Sequence, residues 1–323
     1  MCDNNAKKLF RRVGFALFAL IAVTALLQIV MSNAVYALWP DIYSGSWFLW
    51  VLSAFPMYCV GVPLCWVVML DAPKSAPEKN PFGVGRFITT LLICFFLMYA
   101  GNLLGAGVNA GISAIFGIEV TNPLEEMIDG SSMFLEVLIT VVLAPVFEEL
   151  IFRKLMIDRT RVYGERLAVV LSALLFGLFH GNFSQFFYAF ALGLVFGYVY
   201  VRTGKYGITL GLHMIINLVG GIISSVLAEN VDLTLFDTGD ASQLLSVLSQ
   251  PAYILYMLYC LGLITASLAG LVFFIIRVRK VHFEPAPSEL PKKGRFKTVY
   301  LNAGMLLAIL ACLAEFVMNL FFA

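Results

Sequence analysis

Charge is what this chain has least of. Asp, Glu, Lys and Arg make up 13% of its 323 residues, where a soluble domain carries about 25%. Histidine is scarcer, with three in the whole chain. The formal net charge is only +1, which removes the basic surface a nucleic-acid partner needs. Cysteine is present without pattern. Cys2, Cys59, Cys65, Cys94, Cys260 and Cys312 form no C-x-x-C pair and no zinc-like spacing, and five of them sit in apolar stretches, where Cys acts as a small hydrophobe. That argues against a disulfide framework and a zinc ribbon. There is no H-E-x-x-H helix, and no lipobox precedes Cys2. What the chain has in excess is apolar side chain, at 61%. Its solvent is the lipid bilayer, and it reads as an integral membrane protein.

The apolar runs predict an all-α, polytopic membrane helix bundle. A spanning helix needs about 20 mostly apolar residues, and nine candidates stand out: about 13–38, 47–70, 86–117, 131–157, 166–181, 184–202, 206–228, 251–276 and 298–322. The first is too long for a signal-peptide core, so it is a span, although Val35-Tyr36-Ala37 resembles a cleavage site. Residues 1–323 are expected to form a single membrane domain, with a four-helix core over 131–228.

Basic residues cluster before the first span, in 71–86, in 153–166, at Arg202 and Lys205, and between Arg277 and Lys297. The alternate loops are acidic, with Glu119, Glu125, Glu126 and Asp129 in one and Glu229, Asp232, Asp237 and Asp240 in another. Positive charge marks the cytoplasmic side. The expected orientation is N-terminus in the cytoplasm and C-terminus outside. Pro and Lys in 71–85 and 284–294 suggest flexible connectors. Gly193-x-x-x-Gly197, Gly207-x-x-x-Gly211 and Ala173-x-x-x-Gly177 suggest close helix contacts.

Against this apolar background three polar fragments stand out: Glu148-Glu149-x-x-x-Arg153, Phe176-x-x-x-His180 and His213-x-x-x-Asn217. An ionisable group at the centre of a membrane helix costs about 2.5–3.5 kcal/mol on insertion scales. Residues four apart share a helix face, so Glu149 and Arg153 are placed to pair. Glu148 points about 100° away and has no local partner at that spacing, as a general base requires. Pro145 removes one backbone donor just before the pair. His213 and Asn217 share a face and can donate to one oxygen. Each fragment alone also fits ordinary interhelical bonding; together they suggest a membrane-embedded hydrolase.

The ordered set resembles the CPBP family of intramembrane proteases (CAAX proteases and bacteriocin-processing proteins, or Abi family), over about 131–228. The run Phe176-Gly177-Leu178-Phe179-His180-Gly181-Asn182, followed by Gln185-Phe186, is similar to its bacterial members. The resemblance implies an intramembrane endopeptidase acting on membrane-associated proteins or peptides, in a bacterial plasma membrane, with a site open to the cytoplasm. It implies Glu148 and His180 as the pair that activates water, His213 and Asn217 as the oxyanion-stabilising pair, and Glu149, Arg153 and Phe176 as support. Metal use stays open. Glu148, His180 and His213 could ligate zinc, and the same residues also suit a metal-free glutamate protease. Two other readings fit an intramembrane Glu and His set. One is a non-enzymatic regulator or immunity protein that keeps the protease fold. The other is a transporter, which the lack of an internal repeat disfavours.

Overall fold

The computed structural model describes residues 4–120, 132–232 and 250–321, and it is helical with no strand among them. Among the described residues, nine helices fall where the apolar runs predict. They are α1 (Asn4–Leu38), α2 (Ser46–Met69), α3 (Val84–Phe116), α4 (133–160), α5 (Glu165–Phe179), α6 (Phe183–Thr203), α7 (Tyr206–Ala228), α8 (Pro251–Val278) and α9 (Ala303–Phe321). Seven are long and apolar enough to cross a membrane. The other two are α4 and α5, which carry the first two polar fragments. The α4 helix holds Glu136, Glu148, Glu149, Arg153 and Lys154 within its length. The α5 helix has 15 residues, about 22 Å of rise against a hydrocarbon layer of about 30 Å.

The packing order follows residue size. The α5–α6 hairpin packs along its length, and α6 in turn lies against α3 and α7. Gly193 is what lets α5 approach, since a Cβ there would meet the Ala173 Cα at 2.9 Å. On the flank, α1 crosses α9 where Gly14 faces Gly304, and a Cβ at Gly14 would meet that backbone at 2.2 Å. The expected close contact at Gly207 is not made. A Cβ there has open space, and Gly211 has only the Phe87 ring, 3.8 Å away.

Two connectors expected to be flexible are pinned down instead. Ser75 N–H donates to the Asp158 carbonyl at 2.6 Å, and Asn80 N–H donates to the Thr203 carbonyl at 2.9 Å. From the other connector, Ser288 and Leu290 N–H donate to the Val162 and Tyr163 carbonyls at 3.0 and 3.1 Å. Arg161 and Arg202 both reach the buried Glu165 carboxylate, which also accepts from Glu284 N–H. Buried backbone and carboxyl groups need partners, and here the loops supply them. The four basic connections therefore meet at one end of the bundle. Glu125, Glu126, Asp129, Asp237, Asp240 and Cys2 lie outside the described residues.

Candidate functional site

The α4 helix reaches this site by an irregular route. Its turns widen over Val137–Leu143, tighten over Ala144–Glu149 and widen again over Leu150–Ile157. Such wide turns arise where the regular ladder of hydrogen bonds is interrupted, and they recur at functional sites. Pro145 is the interruption, since it has no N–H to give to the carbonyls one turn back, at 140–141. Two side chains of α7 donate to carbonyls of this stretch. Asn217 Nδ2 bonds the Thr140 carbonyl at 2.8 Å, and the Tyr206 hydroxyl bonds the Val146 carbonyl at 2.6 Å.

The same contact brings the carboxylates to His213. The His213 ring lies between them, with Nδ1 at 3.3 Å from Glu149 Oε1 and Nε2 at 3.5 Å from Glu148 Oε2. Only a doubly protonated ring could donate to both. Glu149 is wholly buried and faces Arg153, whose Nε is 3.0 Å from its Oε2. Arg153 is equally buried. Its Nη1 donates to Ser172 Oγ at 3.1 Å, and that hydroxyl donates to the Phe152 carbonyl at 2.8 Å. The guanidinium also lies over the rings of Phe176 and Phe196, 5.1 and 5.7 Å from their centroids. This is the cation–π geometry that helps hold a desolvated cation.

Phe176 spaces the two histidines, its ring edge-on to His180 at 4.9 Å and to His213 at 5.8 Å. His180 Nδ1 sits 2.8 Å from the Phe176 carbonyl. That bond places the proton on Nδ1 and leaves Nε2 as the free acceptor. The two motifs also reach similar depth. Glu148 is about 18 Å from the Thr160 end of α4, and His180 is about 22 Å from the start of α5. Glu148 lies within electrostatic reach of His180.

All seven residues singled out in the sequence thus lie in or against one cluster. Their local duties differ. Glu149, Arg153 and Phe176 form a packed, paired support. Asn217 is bonded to the α4 backbone. Glu148 keeps a single ring contact, and its side chain stays 14% exposed. Ser172, Phe196 and Tyr206 also belong to the site. A serine, a phenylalanine and a tyrosine in apolar helices carry no sequence signal, since their roles depend on which helix faces which. Among the described residues no group of three or more His, Cys, Asp or Glu side chains is placed to hold a metal ion.

The family model of type II CAAX prenyl endopeptidase Rce1-like proteins matches residues 130–219. That segment contains all three motifs. Residues 130–219 resemble the Rce1-like endopeptidases. The match agrees with the CPBP resemblance carried by the motifs. A curated relative, "Putative membrane peptidase YdiL" of Bacillus subtilis (strain 168), is 24% identical over 167 residues. The alignment covers 47% of this chain and 65% of that protein, a little less than two thirds of its length. No solved structure matches. These similarities and the apolar helices support an integral membrane protein.

Proposed function

We propose that this protein is an intramembrane endopeptidase in which Glu148 activates a water molecule against a peptide bond of a membrane-associated substrate. The observation that carries this reading is the contrast between two adjacent carboxylates. Arg153 neutralises Glu149 at 3.0 Å. Glu148 is left beside His213 at 3.5 Å, with no cation of its own. A carboxylate held near an imidazole in a desolvated site has the character of a general base.

In the proposed reaction Glu148 takes a proton from water as the oxygen attacks the scissile carbonyl carbon. His180, with Nδ1 tied to its own helix, orients that water through Nε2. His213 is assigned as the donor to the developing negative charge, since an oriented donor of this kind stabilises an oxyanion. The C–N bond then breaks as the proton held by Glu148 passes to the leaving amine. One water is consumed and two termini are formed. Asn217 acts by fixing α4 at Pro145, which replaces the direct oxyanion role implied by the resemblance. No step is routed through a metal.

The basic end of the bundle is placed in the cytoplasm, with the N-terminus on that side and the C-terminus outside, and the site opens toward it. The substrate class follows the family description, a membrane-anchored chain near its C-terminus, with unprenylated membrane peptides in the same class. The test is cleavage of a peptide set by detergent-purified protein, including a farnesylated C-a-a-X peptide, with Glu148→Ala and a zinc chelator in parallel. Cleavage lost in the variant supports the reading, and the chelator arm decides metal use. An unchanged rate in Glu148→Ala would sink it. Full cellular complementation by a Glu148→Ala/His180→Ala double variant would move the protein to the non-enzymatic regulator class.

A further inference from the structure

A cavity of about 140 Å³ lies beside His180, between α1, α2, the α5–α6 turn and α9. Its polar lining is Thr24 and Gln28 from α1, His180, and Glu315 and Asn319 from α9. Both α1 and α9 lie outside the 130–219 segment that resembles known endopeptidases. Two features show that the place is built. Asn319 Nδ2 donates to the Gly181 carbonyl at 3.0 Å, so α9 caps the turn that ends at His180. The turn itself requires glycine. Gly181 has φ +67°, and a Cβ there would stand 2.8 Å from the Glu315 Cβ.

The size and lining indicate the ligand. A water needs about 10–15 Å³ of such space and two to four polar partners. This cavity has several times that space and five polar side chains. An apolar cavity of similar volume stays dry, but here Gln28 and Glu315 would each be left unsatisfied in a dry site, at a cost of about 1–3 kcal/mol per group. We infer that this cavity is a water-binding chamber that supplies the hydrolytic water to His180, with Glu315 and Gln28 as the side chains that keep it wet. The supply role rests on the protease reading; the water site itself does not. Each turnover removes one water from the site, and a neighbouring store of bound water can replace it.

The experiment is hydroxyl-radical footprinting of the full chain in lipid nanodiscs, where radiolysis of bound water oxidises the adjacent side chains. Met57 and Cys312 line the chamber. Met305 and Cys94 are wholly buried elsewhere and serve as dry controls. Met57 and Cys312 are expected to oxidise at least about fivefold faster than the controls, because bound water lies against them. The Gln28→Leu/Glu315→Leu pair should abolish that excess, and Glu315→Gln, which keeps hydrogen bonding, should restore it beside Gln28. Continued protection of Met305 and Cys94 in the variants reports an intact fold. Labelling of Met57 and Cys312 no faster than the controls, or labelling unchanged in the leucine pair, would overturn the chamber. For a peptide the parent cleaves, the leucine pair should lower kcat about tenfold with KM held, the signature of a lost step after binding. Lost labelling with unchanged kcat would overturn the supply role. If the parent cleaves nothing, the labelling arm still decides whether the chamber holds water, so the two failures stay separate.

Discussion

Two buried acidic clusters sit about two helical turns or more apart on the same helices, and they are finished differently. At the rim, Glu165 is 3% exposed and its two oxygens are met by Arg161, Arg202 and the Glu284 N–H. Asp158, fully buried, accepts from the Tyr200 hydroxyl at 2.7 Å, with Lys74 and Lys154 at 3.9 and 3.7 Å. In the deeper cluster two carboxylates share one arginine and one histidine, and Glu148 receives the smaller share. A saturated carboxylate is a fastening. One left short of donors stays free to meet a substrate. The rim acids tie loops to helices, and the deep pair divides into a support and a reactive group.

Substitutions can break that division. The largest effect is expected from Glu148→Gln, which should lower cleavage by about 10²–10⁴-fold, the range for a lost general base, while thermal unfolding in detergent stays near the parent. A loss of stability, with the Glu148 group kept, is expected from Arg153→Met. It strands Glu149 as a buried unpaired charge, and removing one partner of such a pair costs about 3–5 kcal/mol. The double variant Glu149→Gln/Arg153→Met should recover much of that stability, and failure to recover would mean the guanidinium serves more than Glu149.

At the rim, Glu165→Gln should cost about 1.5–3 kcal/mol, the range for hydrogen bonds to a charged group. It should also speed proteolysis within 71–83 and 281–294; unchanged proteolysis would mean the loops are held by their backbone bonds alone. The smallest effect is expected from Tyr206→Phe, which removes one bond to the Val146 carbonyl at about 1 kcal/mol. Asn217→Leu removes the donor to the Thr140 carbonyl and should lower activity through α4 geometry. If Asn217→Asp, which has no such donor, retained full activity, the bond to Thr140 would not be what positions α4.

How much of this was readable in advance depended on distance along the chain. Seven of the nine described helices follow from apolar runs alone, because a bilayer selects length and composition directly. Glu149 and Arg153 follow from i,i+4 spacing, which is local geometry. The fate of Gly207 and of the connectors did not follow. A small residue permits a close approach without naming a partner, and a Pro- and Lys-rich loop can be tied down by acceptors over a hundred positions away, as Ser288 is by Val162.

The sequence by itself determined the membrane environment, the helix order and the short list of polar side chains, since insertion cost and helical periodicity act residue by residue. Only the tertiary structure decided which carboxylate is neutralised, that Asn217 bonds α4 beside Pro145, and that α1 and α9 close a polar cavity beside His180. Those outcomes depend on hydrogen-bond partners far apart in the chain, and a buried polar group takes whichever partner the packing of the helices brings within about 3 Å.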